Sequence, residues 1–105
     1  MKLEIDTPEK LGMIIRATRK ALDMRQDDAA GSIGVSENFL GKVERGGETV
    51  QWGKLFQVMK ELGLTVVVDV PEAFASDTMN HYQGIHRKRN QAVHPESSTP
   101  KSEDE

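Results

Sequence analysis

The residues best equipped for chemistry in this chain lie close together in the stretch GSIGVSENFLGKVERG, at positions 31–46. Asn38 can bond an adenine edge through both groups of its amide, Ser36 can donate to or accept from several bases, and Glu37 can accept from the amino group of cytosine. Lys42 adds a cation on the same side, and Arg16, Arg25 and Arg45 add cations suited to phosphate, which bring affinity but little sequence information. Glu37 also has a plainer reading, as an acid favoured at a helix start by the helix dipole. This is recognition chemistry, in which no covalent bond is made or broken.

Catalytic chemistry has much less to stand on. His81, His86 and His94 fall in a polar stretch without HExxH spacing, and a chain with no cysteine offers zinc no thiolate. The segment GETVQWGKL comes nearest to a phosphate loop, but its spacing is wrong and Leu55 stands where a Ser or Thr should follow the lysine. No catalytic residue, metal, cofactor or small-molecule substrate is expected.

The elements that must position the reading residues follow from periodicity. Thr7, Pro8 and Glu9 form a helix start, and Leu11, Ile14, Ile15, Thr18 and Leu22 fall on one face of a helix over about 8–22. Arg16, Arg19 and Lys20 take its other face, which by itself reads as a solvated surface. Ala29, Ala30 and Ile33 mark a second helix from Gln26, and Leu40 and Val43 a third from Glu37, each only about two turns and dependent on packing. Between them Gly34 can take a positive φ, Val35 can plug inward and Ser36 can cap the restart.

Gly46-Gly47 ends the third helix, and Thr49 can cap a fourth. In that fourth helix Trp52, Leu55, Phe56, Met59 and Leu62 keep a core rhythm, with Trp52 and Met59 read as core, until Gly63 stops it. TVVVDV (65–70) then reads as a strand ended by Pro71. Its partner is either residues 2–5 of the same chain or the same strand of a second copy, making a homodimer through Val66, Val67, Val68 and Val70.

From 71 onward the composition is that of a flexible tail, ending in SSTPKSEDE. Within it the basic run IHRKRN (85–90) is either a solvated stretch or an arm that touches DNA phosphate, the minor groove or a partner protein. The expected layout is a helix-turn-helix and dimerisation domain over 1–70 and a tail over 71–105.

The totals agree with a small single domain. The chain has 105 residues, 36% of them hydrophobic, and a net charge of -3. Ten basic and ten acidic residues balance over 1–64, so the acidity of the whole says little about partners. The absence of cysteine suits a reducing compartment, no apolar run is long enough for a membrane span, and the start MKLEIDTPEK carries acids where a signal peptide would be apolar. A cytoplasmic protein without a membrane partner is expected.

Two short helices joined by a tight glycine turn form a helix-turn-helix, whose first helix lies across the phosphate backbone while the second enters the major groove. In that arrangement MRQDDAAGSIGVSENFLGKVERG (24–46) resembles the Cro and phage-repressor (XRE) family: Gln at the start of helix 2, Ala in its interior, the Gly-Val turn and a closing Glu-Arg-Gly. The resemblance covers about residues 8–63 and implies an all-α, lambda-repressor-like bundle of four to five short helices. It implies that Gln26 sits at the phosphate backbone and braces helix 3. It places Gly41 at a position that meets DNA, and pairs Glu44 structurally with Arg19.

The continuation TVQWGKLFQVMKELGLTVVVDV is similar to the end of HipB-type antitoxins, in which helix 4 runs into a short strand paired across a homodimer. That resemblance implies a repressor of palindromic operator DNA that also binds a HipA-type kinase toxin; the alternative is an XRE-type regulator with no toxin partner. Two departures stand out: Arg25 replaces the usual Thr or Ser cap of helix 2, with Asp27 and Asp28 as partial compensation, and GGETVQ lacks basic residues. Phe39 is left open between core packing and contact with sugar and thymine methyl groups.

Overall fold

Thr7 begins the first helix as its sequence predicts. In the computed structural model, which describes residues 1–92, its hydroxyl accepts from the Lys10 amide at 3.1 Å and Pro8 takes the first helical position. Helix α1 spans Pro8–Ala21 and is followed by α2 (Gln26–Ile33), α3 (Glu37–Glu44) and α4 (Trp52–Glu61). A 3-10 turn at Glu72–Phe74 then leads into α5 (Ala75–Ala92). The chain divides into two compact units, Met1–Val66 and a second that begins at Val67.

The first unit is built around Ile15 of α1, Leu40 of α3 and Val58 of α4, all fully buried. Ala29, Ala30 and Ile33 from α2, Val43 from α3, and Met59 and Leu62 around the end of α4 complete the core. Each large side chain taken from water contributes about 1.5–3 kcal/mol, so eight-residue helices persist here that would melt alone. Val35 and Phe39, both half-buried, lean against the same core, and Phe39 also lines the groove beside Ser36, Asn38 and Lys42. Gly34, at φ 95°, reverses the chain between α2 and α3 as expected.

Helices α1 and α3 meet at Gly12. A methyl group there would collide with the Val43 carbonyl oxygen and fall 2.7 Å from that of Glu44, so only glycine lets α1 come this close. At the other end of the crossing, Gly46, at φ 80°, stands where a methyl would lie 2.7 Å from the Glu9 Cα.

Several expectations are corrected. α1 stops at Ala21, so Leu22 is its C-cap and is exposed rather than core. Thr49 does not cap α4; Gln51 holds that place without a side-chain bond. Trp52 is 76% exposed, because α4 begins at that residue and its first position overhangs the core, whereas Met59 is buried as expected. The Trp52 ring instead stacks on Phe56, with centroids 6.0 Å apart.

Residues 65–70 form no strand, and no strand exists among the described residues. The backbone of a strand needs a partner, and residues 2–5, also irregular, do not supply one. The flexible tail expected from 71 is corrected over its first part, since 75–92 is helical: that stretch is polar but contains no proline to interrupt a helix. Among the described residues no helix is long and apolar enough to cross a membrane. His94 and SSTPKSEDE lie outside the described residues.

Candidate nucleic-acid interface

α3 divides into two faces. Leu40 and Val43 are buried, while Ser36, Glu37, Asn38 and Lys42 are exposed together at its N-terminal turn and along one edge. The Ser36 hydroxyl accepts from the Phe39 amide at 3.0 Å, which anchors the start of the helix and leaves the hydroxyl hydrogen free to donate. The aliphatic stem of Lys42 lies against Gly47, where a Cβ would come 2.6 Å from its Cγ. Gly41 departs from expectation: it is buried, with Arg45 Nη1 3.1 Å and both Gln26 amide atoms 3.6 Å from where a Cβ would stand. In this structure those two side chains cover it.

What holds α3 in place is an ion pair at its last turn. Arg19 donates from Nε and Nη2 to the two Glu44 oxygens at 2.6 and 2.9 Å, and from Nη1 to the Met24 carbonyl at 2.8 Å. Gln26 donates to Glu44 Oε1 at 3.1 Å, so one carboxylate ties α1, α2 and α3 together. This is the structural pairing implied for Arg19 and Glu44, and the brace implied for Gln26.

Burial pushes the Glu44 carboxyl up, but hydrogen bonds from Arg19 and Gln26, with the charges of Arg19 and Arg16, outweigh it and hold the group below the ordinary glutamate value. The hydrogen bond to Glu44 raises the Arg19 guanidinium against the opposing effect of burial. Both groups are therefore charged through the neutral range.

Cations gather in two grooves. Arg16, Lys20 and Arg25 line a shallow groove together with Asp23 and Met24. Arg25 pairs with Asp27 at 2.9 Å, a surface pair worth little that leaves it available. The second oxygen of Asp27 accepts from the Asp28 amide at 2.8 Å, which partly replaces the missing cap of α2.

The second groove runs between α3 and the start of α4, lined by Ser36, Asn38, Lys42, Thr49, Gln51 and Lys54 among others. Lys54 holds its ammonium 5.8 Å from the centre of the Phe39 ring. Sequence reasoning missed Lys54, having searched the GGETVQ loop for a cation that the next helix supplies; its place in the first turn of α4 was the available signal. Gln57 donates to the Ile33 carbonyl at 2.7 Å and fixes α4 to the end of α2.

The expected dimerisation residues lie apart from these groups in the sequence. Val66, Val67 and Val68 are exposed and Val70 is half-buried, in a run without regular structure.

No family model matches the chain. The uncharacterised HTH-type transcriptional regulator y4mF of Sinorhizobium fredii is 38% identical over 71 residues, spanning 68% of this chain and 93% of that protein. Among solved structures, HipB in a HipA-HipB-O2-O3 complex shares the fold with a TM-score of 0.61 and 17% identity, over 68% of this chain and 100% of that one. The restriction-modification controller protein C.AhdI of Aeromonas hydrophila matches at a TM-score of 0.50 and 26% identity, over 55% and 88%. The clp gene regulator ClgR of C. glutamicum matches at 0.50 and 29%, over 59% and 80%. With its braced α2–α3 pair and these relatives, the chain belongs to the DNA-binding transcriptional regulators of the XRE helix-turn-helix type.

Proposed function

We propose that the chain represses transcription by binding palindromic operator DNA as a homodimer, and that it is the antitoxin of a toxin-antitoxin operon that binds and neutralises a HipA-type kinase toxin. The observation that carries the DNA reading is the exposed set Ser36, Glu37, Asn38 and Lys42 on a helix whose opposite face is locked into the core. Asn38, Ser36 and Glu37 read base edges, and Lys42 sits at the groove rim. Arg16, Arg25, Gln26 and Arg45, joined by Lys54, hold the phosphate backbone on either side.

Dimerisation is supported by the uncovered run 65–70. Its valines gain a ladder partner only when a second copy brings the same segment alongside, which places two α3 helices on half-sites about one turn, ~10 bp, or a multiple apart. The toxin partner is supported by the likeness to HipB, which has been solved in complex with HipA. A second reading, a regulator with no toxin partner, is favoured by C.AhdI and ClgR, which share more sequence with this chain than HipB does.

The deciding experiment purifies the chain with the product of the adjacent gene and footprints their shared promoter. A protected inverted repeat together with a kinase-like co-purifying protein supports the antitoxin reading. Protection without such a protein supports the second reading, and an unprotected promoter overturns both.

A further inference from the structure

Leu40 and Val43 of α3 are buried, but Phe39, the largest apolar residue of that helix, is only half-buried. Part of it packs against the core, and the rest faces the groove between α3 and the start of α4, where it forms an apolar floor with the half-buried Val50. Ser36, Asn38, Lys42 and Lys54, all exposed, stand around that floor as a polar rim.

The Lys54 ammonium lies 5.8 Å from the centre of the Phe39 ring, near the ~6 Å limit of a cation–π attraction. A group resting on the ring would sit closer, at about 3.5–4.0 Å, so the ammonium steadies the side chain without capping the ring. Neither Lys42 nor Lys54 is in an ion pair among the described residues.

Two unpaired cations beside an apolar floor complement a strand of DNA, whose phosphates take the cations while an apolar group meets the floor. The floor lies on the side of the bases, because Phe39 directly follows Asn38. Consecutive Cα atoms stand 3.80 Å apart, close to the ~3.4 Å rise of one base pair, so Phe39 reaches the pair that Asn38 reads or its neighbour. Among the four bases, thymine alone presents a methyl group in the major groove, at C5.

We propose that Phe39, seated on Val50, reads the C5 methyl of a thymine in the operator half-site while Lys54 takes a phosphate of the same strand. This rests on the DNA reading above and deepens it: Asn38, Ser36 and Glu37 select bases by hydrogen bonds, and Phe39 selects one by an apolar contact. Burying one methyl group corresponds to about a fourfold gain in affinity per half-site.

The test uses the full chain and the duplex it selects from a random pool. Each thymine of one half-site is replaced singly by deoxyuridine, which pairs with adenine as before and lacks only the methyl. At one position the exchange should weaken binding of the wild type about fourfold. Phe39→Ala should bind the thymine and uracil duplexes alike, whereas Lys54→Ala should weaken both by the same factor and keep their ratio. Partial unfolding of a variant lowers both affinities together and leaves the ratio unchanged. Should Phe39→Ala not fold at all by circular dichroism, Val50→Ala, which trims the same floor, is read in its place and should lower the ratio.

A wild type indifferent to every uracil exchange overturns the proposal and leaves the DNA reading standing, as does a selected half-site without thymine. A uracil effect that persists undiminished in Phe39→Ala, or in Val50→Ala where that variant is read, assigns the methyl to another residue and overturns it too. Failure of the chain to select any duplex removes the DNA reading itself.

Discussion

Replacing Gly12 by alanine adds one methyl group at the crossing of α1 and α3, and the magnitude of its effect can be worked from the geometry. The methyl would overlap the Val43 carbonyl oxygen and fall 2.7 Å from the Glu44 oxygen and 2.9 Å from its carbonyl carbon. Ordinary carbon-to-oxygen contacts lie at about 3.3–3.6 Å, and these atoms belong to the backbone of α3, so no side-chain rotation relieves the clash. α1 must back away, an overpacking that costs about 1–3 kcal/mol. Alanine returns up to about 1 kcal/mol of helix propensity, so the middle of that range leaves a net loss of about 1 kcal/mol. For a domain of this size that lowers the melting temperature by roughly 4–8 °C.

Gly31→Ala is the matched control. It lies inside α2 with nothing within 4 Å of the added methyl, so the same substitution should stabilise by up to about 1 kcal/mol. Thermal unfolding followed by far-UV circular dichroism reads both. A Gly12→Ala protein that melts at or above the wild-type temperature would refute the close-crossing argument, and a Gly31→Ala protein that melts well below it would refute the propensity argument.

Other expectations concern the brace and the reading face. Arg19→Ala leaves the Glu44 carboxylate buried without its main partner and should destabilise by about 3–5 kcal/mol in urea unfolding. Because the Glu44 carboxyl is held below its ordinary value, the stability it supplies is present above the unfolded glutamate value of about 4.3 and is lost as pH falls through its lower folded value. Wild type and Glu44→Gln should therefore differ at neutral pH and converge in acid, in unfolding curves taken across that range.

Asn38→Ala should relax base preference, while Lys42→Ala or Lys54→Ala weakens binding to every sequence and reduces the salt slope by about 1; titrations on matched and mismatched sites at several salt concentrations separate the two effects. Deleting residues 65–105 should leave monomers with much weaker operator binding, and a truncated protein that still sediments as a dimer would remove the role assigned to the valine run.

Much of the first unit could be read from local patterns. The Thr7-Pro8 start, the Gly34 turn and the Ser36 cap are decided within a few residues, and the structure shows each of them. The Arg19–Glu44 pair was legible only through family resemblance, because 25 residues separate its members. Trp52 was misread because periodicity gives the phase of a helix but not where the helix begins. What covers Gly41 comes from Gln26 and Arg45, neighbours in space that its own position does not announce. The helix over 75–92 was missed because low hydrophobicity signals only that no core is formed, and a polar segment without internal proline can still be helical.

The tie of Arg19, Gln26 and Glu44 makes the reading helix preorganised: its orientation is set before DNA arrives, so little conformational entropy remains to be lost on binding. It also separates two kinds of mutation. The bonds that hold α3 lie on its buried side, and apart from the Ser36 cap the residues facing outward, Glu37, Asn38 and Lys42, are bonded to nothing that supports the fold. Substitutions there leave the scaffold standing, so, under the proposed function, the operator sequence can drift during evolution with almost no penalty in stability.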